Sequence, residues 1–200
     1  MSAGVIDDIS TLGSDSPFAD DMQLERSRFL SILRRHMRAT GTERSKLRNV
    51  VIDYLRFSPN ADELINSLIS TCVESKITGR LDVAIDILSQ LGVQILRYAW
   101  QFLVNDIKNW NGLYPNRAYE PNDDYWYILL RSVAQSDASA EERVRFVRMC
   151  GKAQSRQVLE AVVESLGDIG TPDAFAEIEK FAISADPFIA ELASELLSNQ

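Results

Sequence analysis

The stretch Leu166-Gly167-Asp168-Ile169-Gly170-Thr171-Pro172-Asp173-Ala174 limits what this 200-residue chain can fold into more than any other. Before it, Val158, Val162, Leu166 and Ile169 recur at steps of 4, 4 and 3, the spacing of one helical face. Gly170 stands where a left-handed residue closes a helix, Thr171 where a side chain caps the next, and Pro172 at a first helical position whose N–H needs no partner. Phe175, Ile178 and Phe181 then set an apolar stripe on the second helix, so two antiparallel helices share a seam that neither buries alone. Asp186-Pro187 repeats the cap-and-proline start, and Ile189, Leu192, Ala193, Leu196 and Leu197 line a third helix.

This turn phrase resembles the HEAT repeat, and the resemblance is clearest over residues 155–200. It implies an armadillo-type, right-handed α-solenoid of helix pairs, an architecture that serves mostly as a binding scaffold.

The rest of the chain is read from period and polarity. Helices are predicted near 22–38, 43–57, 61–75, 80–91, 93–109, 123–135, 139–151, 154–169, 172–184 and 187–198, and no segment reads as a strand. Taking Leu55, Leu88, Leu130, Leu166 and Leu196 as equivalent anchors gives separations of 33, 42, 36 and 30 residues. That series fits a degenerate repeat of helical pairs with one long insertion; an irregular helical bundle is the alternative. The expected organisation is therefore an acidic tail over 1–21, rich in Ser, Gly and Asp and without periodicity, followed by one helical repeat domain over 22–200.

Charge divides the chain unevenly. The net charge of −8 is distributed as −5 over residues 1–21, +6 over 22–56 and −9 over 57–200. Hydrophobic residues make up 46% of the chain, enough for a sizeable core, yet no run approaches a membrane span and the N-terminus is acidic where a signal peptide is basic. The expectation is a cytoplasmic protein. Cys72 and Cys150, 78 positions apart in apolar patterns, read as reduced core thiols.

Two stretches are candidate binding surfaces. Trp110, Tyr114, Tyr119, Tyr125, Trp126 and Tyr127 place six of the 17 aromatics within 18 residues, interleaved with Gly112, Pro115 and Pro121, so a long aromatic loop is expected near 110–125. Its rings either staple neighbouring helices or, with Arg117, form a recognition surface for another protein. The candidate contact residues are Trp110, Tyr114, Arg117, Tyr119, Tyr125 and Trp126. The second stretch is a basic helix carrying Arg26, Arg28, Arg34, Arg35 and Arg38, which either forms a solvated cap on the first repeat or contacts phosphates.

Catalytic chemistry finds no motif. His36 is the single histidine and lies among arginines, and there is no P-loop, G-x-G-x-x-G, C-x-x-C or H-E-x-x-H. No catalytic residue, metal or cofactor is expected. Two enzyme families built on related repeats bear comparison. The turn phrase looks like that of the phycobilin lyases, which would imply a bilin chromophore. HEAT-like alkylpurine glycosylases would imply DNA in a basic groove, with Trp100, Asp106, Trp110 and Trp126 as the groups near the base, but the acidic body opposes a duplex. The resulting expectation is a non-enzymatic scaffold or adaptor that binds another protein, with nucleic-acid binding through the basic helix as the alternative. The broad apolar face of the last helix adds the expectation of a homodimer through it.

Overall fold

The computed structural model describes residues 17–75, 79–113, 122–152 and 155–199, and within these the regular structure is helical. The helices are α1 (Pro17–Arg38), α2 (Gly41–Phe57), α3 (Ala61–Glu74), α4 (Arg80–Leu88), α5 (Val93–Leu113), α6 (Asp123–Ala134), α7 (Ala140–Cys150), α8 (Arg156–Ile169), α9 (Pro172–Phe181) and α10 (Pro187–Ser198). A short 3-10 turn, Ser89–Leu91, extends α4.

Local chemistry explains the boundaries. Gly170 adopts φ 65° and its N–H donates to Leu166 O at 3.1 Å, closing α8 in the left-handed conformation that glycine tolerates best. The hydroxyl of Thr171 accepts from Ala174 N, and Asp186 Oδ1 accepts from Phe188 N at 2.9 Å, so α9 and α10 both begin with a side-chain cap followed by proline. Ser139 and Ser155 cap α7 and α8 in the same way.

Beyond the 3-10 extension of α4, three boundaries differ from the sequence-based expectation by three residues or more. Helix begins at Pro17, so residues 17–21 belong to α1 rather than to a tail, and residues 1–16 lie outside the described residues. Helix α5 runs to Leu113, four residues beyond its predicted end, despite the weak helix propensity of Asn109, Asn111 and Gly112. Helix α9 stops at Phe181, where Ser184 N turns back to Phe181 O.

Packing follows an alternating pattern. Successive helices pair as α1 with α2, α3 with α4, α5 with α6, α7 with α8 and α9 with α10. The even-numbered helices also pack side by side, α2 on α4, α4 on α6, α6 on α8 and α8 on α10, while α1 meets α3 and both α5 and α9 meet α7. The chain is thus a two-layered run of helical hairpins whose even layer is laterally continuous. The five leucine anchors all fall on even helices: Leu55, Leu88, Leu130 and Leu166 are fully buried and Leu196 half-buried.

One apolar core runs the length of this arrangement, from Phe29 and Leu33 on α1 to Ile189 and Ala193 on α10. Cys72 and Cys150 are free thiols within it; burial pushes Cys72 up to about 12 and Cys150 higher still, so neither carries thiolate at neutral pH. On α10, Leu192 and Leu196 pack back onto the core, and Leu196 meets α8 at Gly167, where a Cβ would stand 3.2 Å from its Cδ1. Glu191, Ser194, Glu195 and Ser198 face outward. The helix therefore has a polar outer face, with Ile189 and Ala193 buried and Leu192, Leu196 and Leu197 half-buried against the chain.

Candidate functional site

The expected aromatic surface is split between core and periphery. Trp126 is 1% exposed and belongs to the core, so it is not available to a partner. Its place follows from helix phase: on α6 it precedes Leu129, Leu130 and Val133 at steps of 3 and 4 to 7, the buried side. Phe102 meets it edge-on at 5.5 Å, and Phe146 of α7 stacks at 6.4 Å. Trp100 closes the cluster edge-on to Phe146 at 5.2 Å. Trp126 is thus a core packing group, and Trp100 is half-buried beside it. Tyr125 is half-buried, stacked on Phe102 at 4.7 Å with 10° between the rings. Trp110 lies in the last turns of α5, and Tyr114, Arg117 and Tyr119 lie outside the described residues.

A tyrosine pair that sequence reading passed over ties α3, α5 and α6 together. Both Tyr98 and Tyr125 donate their hydroxyls to Asn66 Oδ1, Tyr98 at 2.6 Å, and the two oxygens are 3.2 Å apart. Burial, then the neighbouring hydroxyl, pushes the Tyr98 phenol far above its ordinary range, so it stays a neutral donor. This is a staple, in which Tyr125 of the aromatic stretch joins Tyr98 in holding α3.

The basic helix also divides. Arg26 Nε donates to Ser67 Oγ at 2.9 Å, and Arg35 is 3.3 Å from Glu43. Arg28, Arg34 and Arg38 are exposed and, among the described residues, make no ion pair. Nor do Arg44 and Lys46 of α2. Arg34, Met37 and Arg38 line a cleft of about 250 Å³ with Thr71, Glu74 and Ser75. His36 is buried on the opposite side of α1, its Nδ1 3.0 Å from Arg44 O, and burial holds its pKa below the ordinary value.

The most extended polar arrangement is on the even helices, and it comes from i, i+4 spacing. Asp82 and Asp86 on α4, Tyr127, Arg131 and Gln135 on α6, and Glu160, Glu164 and Asp168 on α8 each form a single row along their helix. The rows interlock. Arg48 of α2 grips the Asp86 carboxylate with Nε and Nη2, the latter at 2.7 Å. Arg56 Nη2 donates to Gln90 O at 2.6 Å, and Arg80 reaches Asp124 at 3.9 Å. Arg131 reaches both Glu164 at 3.3 Å and Asp168 at 3.1 Å, and Gln135 Nε2 donates to Asp168 at 2.8 Å. Tyr127 sits amid Asp82, Arg131, Glu164 and Asp168; burial, then Glu164, raises its phenol. Six carboxylates (Asp82, Asp86, Asp124, Glu160, Glu164 and Asp168) face four guanidiniums (Arg48, Arg56, Arg80 and Arg131), so acids are in excess although most of the charges are paired.

Burial raises the Glu164 carboxyl above its ordinary range, with Arg131 opposing. Among the described residues, no group of three or more His, Cys, Asp or Glu side chains is arranged to hold a metal ion, and no helix is long and apolar enough to cross a membrane. Compared with protein-family models, with characterised proteins and with solved structures, the chain has no match in any of the three. The fold itself defines the class as all-α, a two-layered array of helical hairpins.

Proposed function

We propose that this protein is a non-enzymatic scaffold of HEAT-like hairpins, a right-handed solenoid whose even-helix face binds another protein. The observation that carries the reading is the lateral continuity of that face. Arg48–Asp86, Arg80–Asp124 and Arg131–Glu164/Asp168 lock four successive even helices together, leaving half-exposed Tyr127 and Glu160 and exposed Asp82 between the locks. A surface pre-ordered in this way loses little side-chain entropy on binding, and a tyrosine framed by fixed charges is an efficient contact group. Its excess of carboxylates selects a basic partner surface and steers its approach.

Affinity capture from the native cell compares the full chain with an Asp82→Lys/Glu160→Lys variant of equal melting temperature. The reading expects a stoichiometric partner that the variant loses. A partner retained in full by the variant, yet lost on altering exposed odd-helix positions such as Arg145, would move the contact to the other layer.

A further inference from the structure

Two helical stripes, on the first and last hairpins, are complementary in charge. On α1, Leu24, Arg28, Ser31, Arg35 and Arg38 follow at steps of 4, 3, 4 and 3, and all five are exposed, Leu24 by 50%. On α10, Phe188, Glu191, Glu195 and Ser198 follow at steps of 3, 4 and 3 with Ser194 on the flank; all five are exposed, Phe188 by 40%. Each stripe begins with one exposed apolar side chain, continues with charges of one sign and is spaced by serines small enough to let another helix approach.

The charges have few partners at home. Arg28 and Arg38 make no ion pair among the described residues, and Arg35 has only the exposed contact with Glu43, of the kind that contributes little. Neither Glu191 nor Glu195 has a cation partner among the described residues; Arg156, which packs on the ring of Phe188 at 4.3 Å, is paired with Asp186 at 3.6 Å. The sign asymmetry extends beyond the stripes. Arg34, Arg44 and Lys46 reinforce the basic hairpin, and Asp173 and Glu179 of α9 reinforce the acidic one, again with no ion pair among the described residues.

We propose that the basic α1 stripe of one copy of this chain docks on the acidic α10 stripe of another. Parallel docking sets Leu24 against Phe188 and Arg28 against Glu191 and Glu195, and carries Arg35 and Arg38 to the C-terminal end of α10, where the helix dipole is negative. Because the two surfaces differ, the contact is heterologous: each added copy leaves one basic and one acidic stripe open, and assemblies grow by single copies instead of stopping at a closed dimer. The contact is mainly electrostatic between exposed groups, so salt screens it. The proposal uses the stripes of α1 and α10 and not the residues between the α2–α8 locks, and it does not depend on the partner assigned to those.

Light scattering on the full chain, across concentrations and at about 20 mM and about 500 mM salt, tests it. The expected result is a mass that rises above 22.5 kDa with concentration at low salt and returns to 22.5 kDa at high salt. Arg28→Glu/Arg38→Glu and Glu191→Lys/Glu195→Lys should each stay monomeric at low salt while keeping the parent helical signal and melting temperature. An equimolar mixture of the two variants should associate again, since the reversed basic stripe meets the reversed acidic one. A wild-type monomer under every condition, association that survives either reversal, or a mixture that stays monomeric would each overturn the proposal.

Discussion

Arg131 of α6 holds two carboxylates of α8 at once, with Nη1 3.3 Å from Glu164 Oε2 and Nη2 3.1 Å from Asp168 Oδ2. Its side chain is 17% exposed, so solvent screens these contacts less than it does the other ion pairs of the even face. Removing the guanidinium leaves Glu164 half-buried with Glu160 and Asp168 as its charged neighbours.

Arg131→Ala is accordingly expected to cost about 1–3 kcal/mol, a fall in melting temperature of roughly 2–4 °C per kcal/mol for a chain of this size. Arg131→Lys should recover only part of it, because an ammonium lacks the fork that spans both carboxylates. Urea unfolding of the three proteins checks both statements. Equal stability of Arg131→Ala and the parent would show that the α6–α8 lock contributes nothing.

Trp126→Ala should cost about 3–5 kcal/mol, since it opens a cavity between Phe102 and Phe146. Tyr125→Phe removes one of the two donors to Asn66 and should cost only about 0.5–1.5 kcal/mol. Thermal melts followed by circular dichroism separate the two. A Trp126→Ala protein that melts with the parent would return the indole to the surface.

Gly92 adopts φ 57°, and a Cβ there would overlap Asp137 Oδ1 and lie 3.1 Å from its Cγ. Gly92→Ala therefore meets two penalties, the left-handed backbone and the carboxylate, and should lose about 1–3 kcal/mol. Adding Asp137→Ala relieves the second alone. Denaturant titration should place the double variant between Gly92→Ala and the parent; a double variant no better than Gly92→Ala would show that the exposed carboxylate swings aside unaided.

The His36 imidazole is neutral at pH 7 and held below its ordinary pKa of 6.5 chiefly by burial. Below that value the unfolded chain binds a proton that the folded chain resists, so stability is fully present above pH 6.5 and falls as the pH drops toward the lowered folded value. Melting temperatures between pH 8 and 5 should decline through this window, and His36→Gln should flatten the decline while starting from a lower value, since Arg44 O loses or weakens its donor. A His36→Gln profile parallel to that of the parent would assign the acid loss to other groups.

How much of this was legible in the sequence depended on whether a feature is local. The caps at Thr171 and Asp186, the left-handed Gly170 and the buried rows of α8 are set by residues within one or two turns, and they were read directly. The five leucine anchors were placed by period alone and fall on alternate helices. Helix phase decides the fate of Trp126: grouped by composition with its aromatic neighbours it reads as either staple or recognition surface, but its position relative to Leu129, Leu130 and Val133 puts it in the core. The even-face locks were not legible, because Arg48 finds Asp86 at a separation of 38 residues and Arg131 finds Asp168 only once α6 and α8 lie side by side. The i, i+4 row Glu160, Glu164, Asp168 was visible; what it faced was not.

Site-specific photo-crosslinking tests the scaffold account most directly. A photoreactive residue at Gln157 of α8, exposed beside the Glu160 row, is compared in the native cell with the same residue at Arg145 of α7 in the other layer. The account predicts one adduct of defined mass from position 157, containing a second protein with a basic contact region, and no such adduct from position 145. Adducts from position 145 alone, or none from position 157 while the protein is folded and expressed, would contradict the even-helix face as the binding surface.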